Sequence, residues 1–233
     1  MNARPPSRLL IFARYPRPGQ VKTRLFSLLD ELSASDLYRA FLIDTLQQVA
    51  SLPTNIERRL LVADRHDVGA MRSLVADEGF GDMPVEAQSV GDLGRRLHHA
   101  LGSAIADGVP MVCAIGSDHP TLPIEFVASA FAQPPEVDVV MGPTDDGGYY
   151  LIGMRRLHEA LILNMPYSTA ELANDVRRRG EDLRLLVAEL PPWYDVDNGQ
   201  DLRRLVHERG AAGERTRRLL TSLVEQGRID GNE

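Results

Sequence analysis

Cysteine is almost absent from this sequence. Cys113 is the only one among 233 residues, so neither a disulfide scaffold nor a cysteine-based zinc site can form within one chain. That usage fits a reducing cytoplasm, the expected location. Long apolar runs are missing as well. None approaches the roughly 20 residues that a membrane span requires. The N-terminal stretch offers only Leu9–Ala13, too short for the apolar core of a secretory signal. An excess of positive charge is lacking too: 26 Lys and Arg stand against 33 Asp and Glu, a formal charge of −7. Nonspecific nucleic-acid binding draws its affinity from neutralised phosphates, and an acidic chain is poorly suited to it. A soluble protein acting on small molecules is expected, with no nucleic-acid partner and no membrane span.

The basic residues that are present are unevenly placed. Between Ala13 and Leu29 stand Arg14, Arg17, Lys22 and Arg24, with no acidic residue among them. A concentrated positive loop on an acidic protein suggests a site for one small anion.

Apolar runs bounded by turn residues alternate with stretches of helical period. Strands are expected at Leu9–Ala13, Arg59–Ala63, Pro84–Gln88, Pro110–Ile115, Val137–Met141, Tyr149–Met154 and Leu183–Ala188. Helices are expected at Leu32–Val49, Val68–Glu78, Asp92–Ala106, Ile124–Phe131 and Thr169–Arg179, with two more from about Gln200. Such alternation predicts an α/β fold, a mostly parallel sheet with helices on both faces. The close pair Val137–Met141 and Tyr149–Met154 predicts a small antiparallel excursion. No internal repeat or linker interrupts the pattern, so residues 1–233 read as one domain. Ligands of open sheets of this kind bind beyond the carboxyl ends of the strands, which directs attention to four loops.

The first loop, Arg14–Arg24, contains Pro16, Pro18 and Gly19 and is stiff despite its length. It runs toward an expected helix start near Val21–Arg24, where free N–H groups favour an anion; Lys22 and Arg24 add full charges. A solvated basic surface loop is the alternative. Neither the Walker phosphate loop nor the Gly-x-Gly-x-x-Gly dinucleotide signature is present. The second loop presents Asp118 at the end of a buried strand. There a carboxylate can bind Mg²⁺ or Mn²⁺ through its hard oxygens, or merely cap the next helix; His119 beside it reads as a packed residue. The third, Gly142–Tyr150, carries Asp145, Asp146, Gly147, Gly148, Tyr149 and Tyr150. Asp-Gly is a hairpin signal, but two carboxylates, two glycines and two tyrosines exceed what a turn needs. The tyrosines should face opposite sides of a strand. In the fourth, Asp195 and Asp197 alternate along an extended segment and share a side, offering a second metal carboxylate; Asp197 or Asn198 could instead cap the following helix. Gly91 and Gly94 flank one further helix start, where backbone groups could meet a base or sugar.

Five blocks occur in one order: Phe12–Leu25, Gly91–Gly94, Ile115–Pro120, Gly142–Gly153 and Asp195–Asp197. Together they resemble the uncharacterised-domain family numbered 2064, also described as radical-SAM/selenodomain-associated glycosyltransferases. That family is similar to GT-A-fold nucleotide-diphospho-sugar transferases and, more distantly, to phospholactate guanylyltransferases. The resemblance spans about Leu9 to Leu202 and implies a GT-A-like three-layer α/β/α fold. It also implies a metal-dependent transferase. Arg14, Lys22 and Arg24 would hold nucleotide phosphates, and Gly91, Asp92 and Gly94 would lie near the nucleotide. Asp118 would be a catalytic metal ligand, with Asp197 as the second and Asp195 as its substitute. Asp146 would act in catalysis, and Asp145, Gly147, Gly148 and Tyr149 would contact the transferred or accepting group. His119 and Asn198 depart from the usual pattern, where cysteine or threonine, and threonine, are more frequent.

Glycosyl transfer from a nucleotide sugar to a small-molecule acceptor is the expected reaction. Nucleotidyl transfer from a nucleoside triphosphate, releasing pyrophosphate, is the alternative. A nonenzymatic nucleotide-binding module and a metal-dependent phosphatase account for fewer of the blocks. A homodimer is compatible with all of these readings.

Overall fold

The computed structural model describes residues 5–230, so Met1–Arg4, the first residues read for a leader, lie outside it. Among the described residues seven strands form one sheet: β1 (Ser7–Ala13), β2 (Ile56–Val62), β3 (Val85–Ala87), β4 (Val112–Ile115), β5 (Val139–Pro143), β6 (Tyr149–Met154) and β7 (Val187–Glu189). Their order is β3-β2-β1-β4-β6-β5-β7. All neighbouring pairs are parallel except those of β6, which runs antiparallel to both β4 and β5. The expected excursion is therefore a single reversed strand set inside the sheet, between two strands of the other direction.

Seven α-helices of the described residues accompany the sheet: α1 (Glu31–Ala50), α2 (Val68–Asp77), α3 (Leu93–Ala106), α4 (Ile124–Phe131), α5 (Leu172–Asp182), α6 (Gly199–His207) and α7 (Glu214–Glu225). Their starts follow from local chemistry. Asp30 accepts from the Ser33 amide at 2.7 Å and starts α1. Asp92 does the same for Arg95 at the head of α3. Asn198 and Asp201 form a reciprocal capping box at α6. Among the described residues no helix is long and apolar enough to cross a membrane.

Alternation along the strands divides the core in two. Leu9, Ile11 and Cys113 face one layer, where Leu42, Leu46, Met71 and Val127 pack. Leu10, Val112 and Ala114 face the other, against Leu97, Leu101, Leu172 and Val176. A third cluster joins Leu37 and Phe41 of α1 to Leu205 of α6 and Leu220 of α7. It also encloses Leu25, Leu29 and Val196, and so anchors the segments on either side of Lys22 and Asp197.

One local expectation needs correction. The chain makes no regular helix at Val21–Arg24; a single 3₁₀ turn, Thr23–Leu25, stands there. Lys22 takes a left-handed backbone (φ 49°) immediately before it, which breaks helical continuity. The anion site expected at this loop is thus left with side-chain charge and no helix dipole behind it.

Candidate active site

The loops after β1, β2, β3, β4 and β5 gather at one edge of the sheet, and the antiparallel β6 brings its first residue, Tyr149, to the same edge. Backbone hydrogen bonds fix the arrangement. The Val196 amide donates to the Asp118 carbonyl at 3.0 Å, which sets the Asp195–Asp197 segment against the end of β4. The same segment is tied to β5 by Trp193 N to Pro143 O (3.0 Å) and Asp145 N to Trp193 O (2.9 Å). Tyr38, on α1, joins two further loops: its hydroxyl accepts from the Arg14 amide at 2.8 Å and lies 2.9 Å from Ser117 Oγ. Burial, with the Asp118 charge adding to it, pushes the Tyr38 phenol up to about 12, so it stays protonated.

At the centre, Lys22 Nζ stands 2.7 Å from Asp118 Oδ1 and 2.9 Å from Asp197 Oδ1. The Lys22 side chain is only 4% exposed, while the two carboxylates remain about two-fifths exposed, at 39% and 40%. Burial alone would lower the Lys22 pKa, but the charges of Asp118 and Asp197 outweigh it and hold the ammonium protonated. Burial would likewise raise Asp197, yet Lys22 prevails and lowers it. Arg24 Nη1 lies 3.8 Å from Asp197 Oδ2 on the exposed side. Asp195 has no cation beside it. Burial raises its pKa to about 7, with the charges of Asp197 and Asp146 contributing.

Two hollows meet at this centre. One, of about 600 Å³, is lined by Ala13, Arg14, Lys22, Tyr38, Gln88 and Arg96, among others. The second, of about 390 Å³, is lined by Leu97, Thr144, Asp146, Tyr149, Tyr167 and Asp195, among others. Phe12, Arg24, Leu93, Gly116, Asp118, Ser168 and Asp197 line both. From β3 to β4 the first hollow crosses three strand spacings, about 14 Å at about 4.8 Å each.

Asp146 is rigidly held: its Oδ1 accepts from Thr144 Oγ1 at 2.5 Å and from the Gly148 amide at 3.0 Å. Its Oδ2 has no hydrogen-bond partner among the described residues. Tyr149 and Tyr150 take opposite faces of β6, as strand geometry requires. Tyr149 donates to Tyr167 at 3.3 Å, and Tyr167 donates to the Ile162 carbonyl at 2.8 Å. Tyr150 is buried in the opposite layer, donating to the Pro191 carbonyl at 3.0 Å. His119 is buried, with Nδ1 3.1 Å from the Tyr194 carbonyl, and burial lowers its pKa.

Several residues singled out in the sequence lie off the cleft. Asp145 is exposed and paired with Arg204 at 2.8 Å. Asp92 is the α3 cap, and Gly91 gives its carbonyl to Arg96 Nε at 2.7 Å. Gly94 allows a close crossing, since a Cβ there would meet the Ile162 carbonyl at 2.8 Å. Gly147 has φ 88°, and a Cβ would fall 2.1 Å from the Ala170 carbonyl oxygen. Asp118 and Asp197 cap no helix; Pro123 precedes α4 and Asn198 caps α6. Tyr38, Gln88, Arg96, Tyr167 and Ser168 join the cleft without having been singled out. Tyr38 sits within a helical apolar pattern that reads simply as core.

Residues 45–169 match the model of a family described as an uncharacterized protein conserved in bacteria (DUF2064). The chain belongs to the DUF2064 family. A protein of Desulfovibrio desulfuricans G20, provisionally named a nucleotide-diphospho-sugar transferase, has a crystal structure with a TM-score of 0.86 to this chain. The two are 32% identical over 94% of this chain and 95% of the other. A cytidylyltransferase from Leptospira borgpetersenii serovar Hardjo-bovis is similar at TM-score 0.59 and 14% identity, covering 95% of this chain and 94% of its own. CMP:2-keto-3-deoxy-manno-octonic acid synthetase complexed with CTP is similar at TM-score 0.55 and 12% identity, covering 88% and 98%. These last two establish that the DUF2064 chain shares their fold. No curated protein matches the sequence. The expected three-layer, GT-A-like α/β/α class is thus the observed one.

Proposed function

We propose that this DUF2064 protein, acting as one domain, is a metal-dependent transferase that moves a sugar from a nucleotide-diphospho-sugar to a small-molecule acceptor. The carrying observation is a two-part cleft whose halves meet at Asp118, Lys22 and Asp197. One half offers Arg14, Lys22 and Arg96 to a nucleotide, and the other offers Asp146 and aromatic walls to a hydroxylated molecule. The likeness to a relative named for nucleotide-diphospho-sugar transfer supports the same reading.

A divalent cation fits the residues present. Asp118 and Asp197 bring hard carboxylate oxygens together around Lys22 Nζ while staying about two-fifths exposed, at 39% and 40%, and Asp118 Oδ1 is buried without a well-aligned hydrogen bond. Among the described residues no three His, Cys, Asp or Glu side chains gather to hold a metal alone. Mg²⁺ characteristically uses one or two carboxylates and completes its shell with water and substrate phosphates. When bound between Asp118 and Asp197, such an ion would supply charge stabilisation to the departing diphosphate.

The chain's own residues do the rest. Lys22 and Arg24 balance the negative charge that builds on the leaving nucleoside diphosphate as the sugar–phosphate bond breaks. Asp146, held through Oδ1, presents Oδ2 to the acceptor hydroxyl and takes its proton as the new glycosidic bond forms. Tyr38 and Ser117 hold the strand-end loops in register. Nucleotidyl transfer is the second reading, favoured by three of the four cations of one loop, Arg14, Lys22 and Arg24, which suit a triphosphate. The two reactions part at their products. Incubation with Mg²⁺ or Mn²⁺, an acceptor source and either nucleotide sugars or triphosphates should release a nucleoside diphosphate from the former. Acceptor-dependent pyrophosphate from a triphosphate, with nucleotide sugars intact, would overturn the proposal.

A further inference from the structure

The two halves of the cleft differ in charge, and in a transferase that difference bears on the acceptor. Arg14, Lys22 and Arg96 line the nucleotide half alone. The other half adds two carboxylates, Asp146 and Asp195, and no lysine or arginine beyond the shared Arg24. Its other walls include the apolar side chains of Leu97, Ile152 and Leu172, the rings of Tyr149 and Tyr167, and the hydroxyl-bearing Thr144 and Thr169.

The nearby cations are already engaged elsewhere. Arg204 pairs with Asp145 and Glu208 and lies over the Tyr194 ring at 3.7 Å. Arg179 donates to the carbonyls of Ala160, Leu163 and Asn164 and pairs with Asp175. His119 is buried, with Nδ1 at the Tyr194 carbonyl. Arg24 lines both hollows and lies 3.8 Å from Asp197; under the transferase reading its charge serves the donor diphosphate.

Resting on the transferase function proposed for this cleft, we infer that the acceptor carries no phosphate or carboxylate. Its nucleophile is a hydroxyl or amino group on a neutral or cationic molecule with an apolar face. An anionic acceptor would stand beside the Asp146 carboxyl group with no cation of its own, and like charges at close range repel. A hydroxyl or ammonium instead donates to Asp146 Oδ2, while its carbon skeleton lies on the tyrosine rings and Leu97. Even with a divalent ion between Asp118 and Asp197, the Asp146 carboxyl group remains in this half with no lysine or arginine of its own. In the transfer step a hydroxyl or a neutral amino group attacks: its O–H or N–H bond breaks, the proton passes to Asp146, and the new bond forms to the sugar carbon as the carbon–oxygen bond to the departing diphosphate breaks. Phosphomonoesters, the nucleophiles of many nucleotidyl transfers, are excluded by the same charge argument.

The test separates the acceptor assignment from the transferase function. A small-molecule extract of the source organism is split on an anion exchanger into unretained (neutral and cationic) and retained (anionic) fractions. Each is incubated with the full-length protein, Mn²⁺ and a panel of nucleotide sugars and nucleoside triphosphates, and nucleotide and pyrophosphate release are measured. Release stimulated several-fold by the unretained fraction alone is expected, with Asp146→Asn lowering that rate on the order of 10²-fold while nucleoside diphosphate affinity is kept. Stimulation by the retained fraction alone overturns the acceptor assignment and leaves the transferase standing. Stimulation by neither fraction, with nucleotide still bound, removes the transferase reading and the acceptor assignment with it.

Discussion

Replacing Lys22 by methionine removes an ammonium while keeping most of its stem, and the structure sets the size of the effect. One buried charge is shared by Asp118 at 2.7 Å and Asp197 at 2.9 Å. At an effective dielectric near 20, unit charges about 4 Å apart attract by about 4 kcal/mol. Desolvation of the buried ammonium cancels several kcal/mol of the two attractions. Solvent reaches both carboxylates, at 39% and 40% exposure, and screens part of the remainder. A loss of about 2–4 kcal/mol in unfolding free energy at pH 7 is the expected net, somewhat under the figure for a fully buried broken pair. The pH dependence follows from the directions of the shifts. Asp197 is lowered, so its share is present above the ordinary carboxylate range and disappears as pH falls through its depressed pKa. Lys22 is raised, so its share is complete below the ordinary lysine pKa and fades only as pH climbs through the raised one. The gap between wild type and Lys22→Met should therefore be flat through neutrality and close in acid. Urea unfolding followed by circular dichroism, with and without Mg²⁺, measures it. Mg²⁺ should stabilise the variant more than the wild type, because two carboxylates are left without their internal cation. A change below about 0.5 kcal/mol, the scale of an ordinary surface substitution, together with equal Mg²⁺ responses, would refute the assignment of Lys22 as the shared counter-ion.

Asp118→Asn keeps the shape and loses the charge; turnover with Mn²⁺ should vanish while circular dichroism matches the parent, and retained turnover would remove Asp118 from the metal site. Arg24→Ala should weaken nucleoside diphosphate binding by about 1–2 kcal/mol in calorimetric titration, with unchanged affinity marking Arg24 as a surface residue. Gly147→Ala meets both a φ of 88° and the Ala170 carbonyl at 2.1 Å, so a destabilisation of about 2 kcal/mol or more is expected in thermal melts. Asp195 has its pKa raised to about 7 by burial first and by Asp197 and Asp146 next. A raised carboxyl binds its proton more tightly in the folded state, so it costs stability as pH rises from about 4 to 7. Asp195→Asn should consequently raise the melting temperature more at pH 8 than at pH 4, and equal shifts would contradict the raised pKa.

The fold was legible because its signals are local and repeated. Ile124–Phe131 and Tyr149–Met154 could be bounded from apolar runs and turn residues alone, and the structure places both there. Capping residues fixed other starts, as at Asp92 and Asn198. What the sequence hid was conformation set by distant contacts. Basic residues ahead of a helical run suggested a helix start at Val21, but Lys22 takes a left-handed backbone while its side chain reaches Asp118 and Asp197, and only one 3₁₀ turn follows. The glycines of Gly91–Gly94 looked like nucleotide contacts because close backbone approach is what glycine permits; at Gly94 the approaching group is the chain's own Ile162 carbonyl. Asp145 and Asp146 could not be told apart by type, since only the hairpin geometry turns one toward Arg204 and the other toward Thr144. Gln88 and Arg96 gave no signal of their own, for nothing in sequence shows that β3 ends beside the same hollow as β1.

The reversed strand β6 explains how one sheet edge can serve both substrates. In a wholly parallel sheet only the loops following strands reach the carboxyl edge, and each next strand must first return through a crossover. Because β6 runs backward between β4 and β5, the β5–β6 connection is a short hairpin that stays at that edge. It delivers Thr144, Asp146, Gly148 and Tyr149 beside the end of β4, where Asp118 lies, with no helix in between. The chain then returns along β7, and Trp193 to Val196 binds first to β5 and then to the Asp118 carbonyl. Asp118, Asp146 and Asp197 are thereby positioned by backbone hydrogen bonds to one another's segments, while Lys22 is held between Val21 and Leu25, both buried. Carboxylate-to-amide changes at these positions should therefore alter charge and leave geometry in place. That separation is what allows their chemical roles to be read from kinetics and binding without a confounding loss of fold.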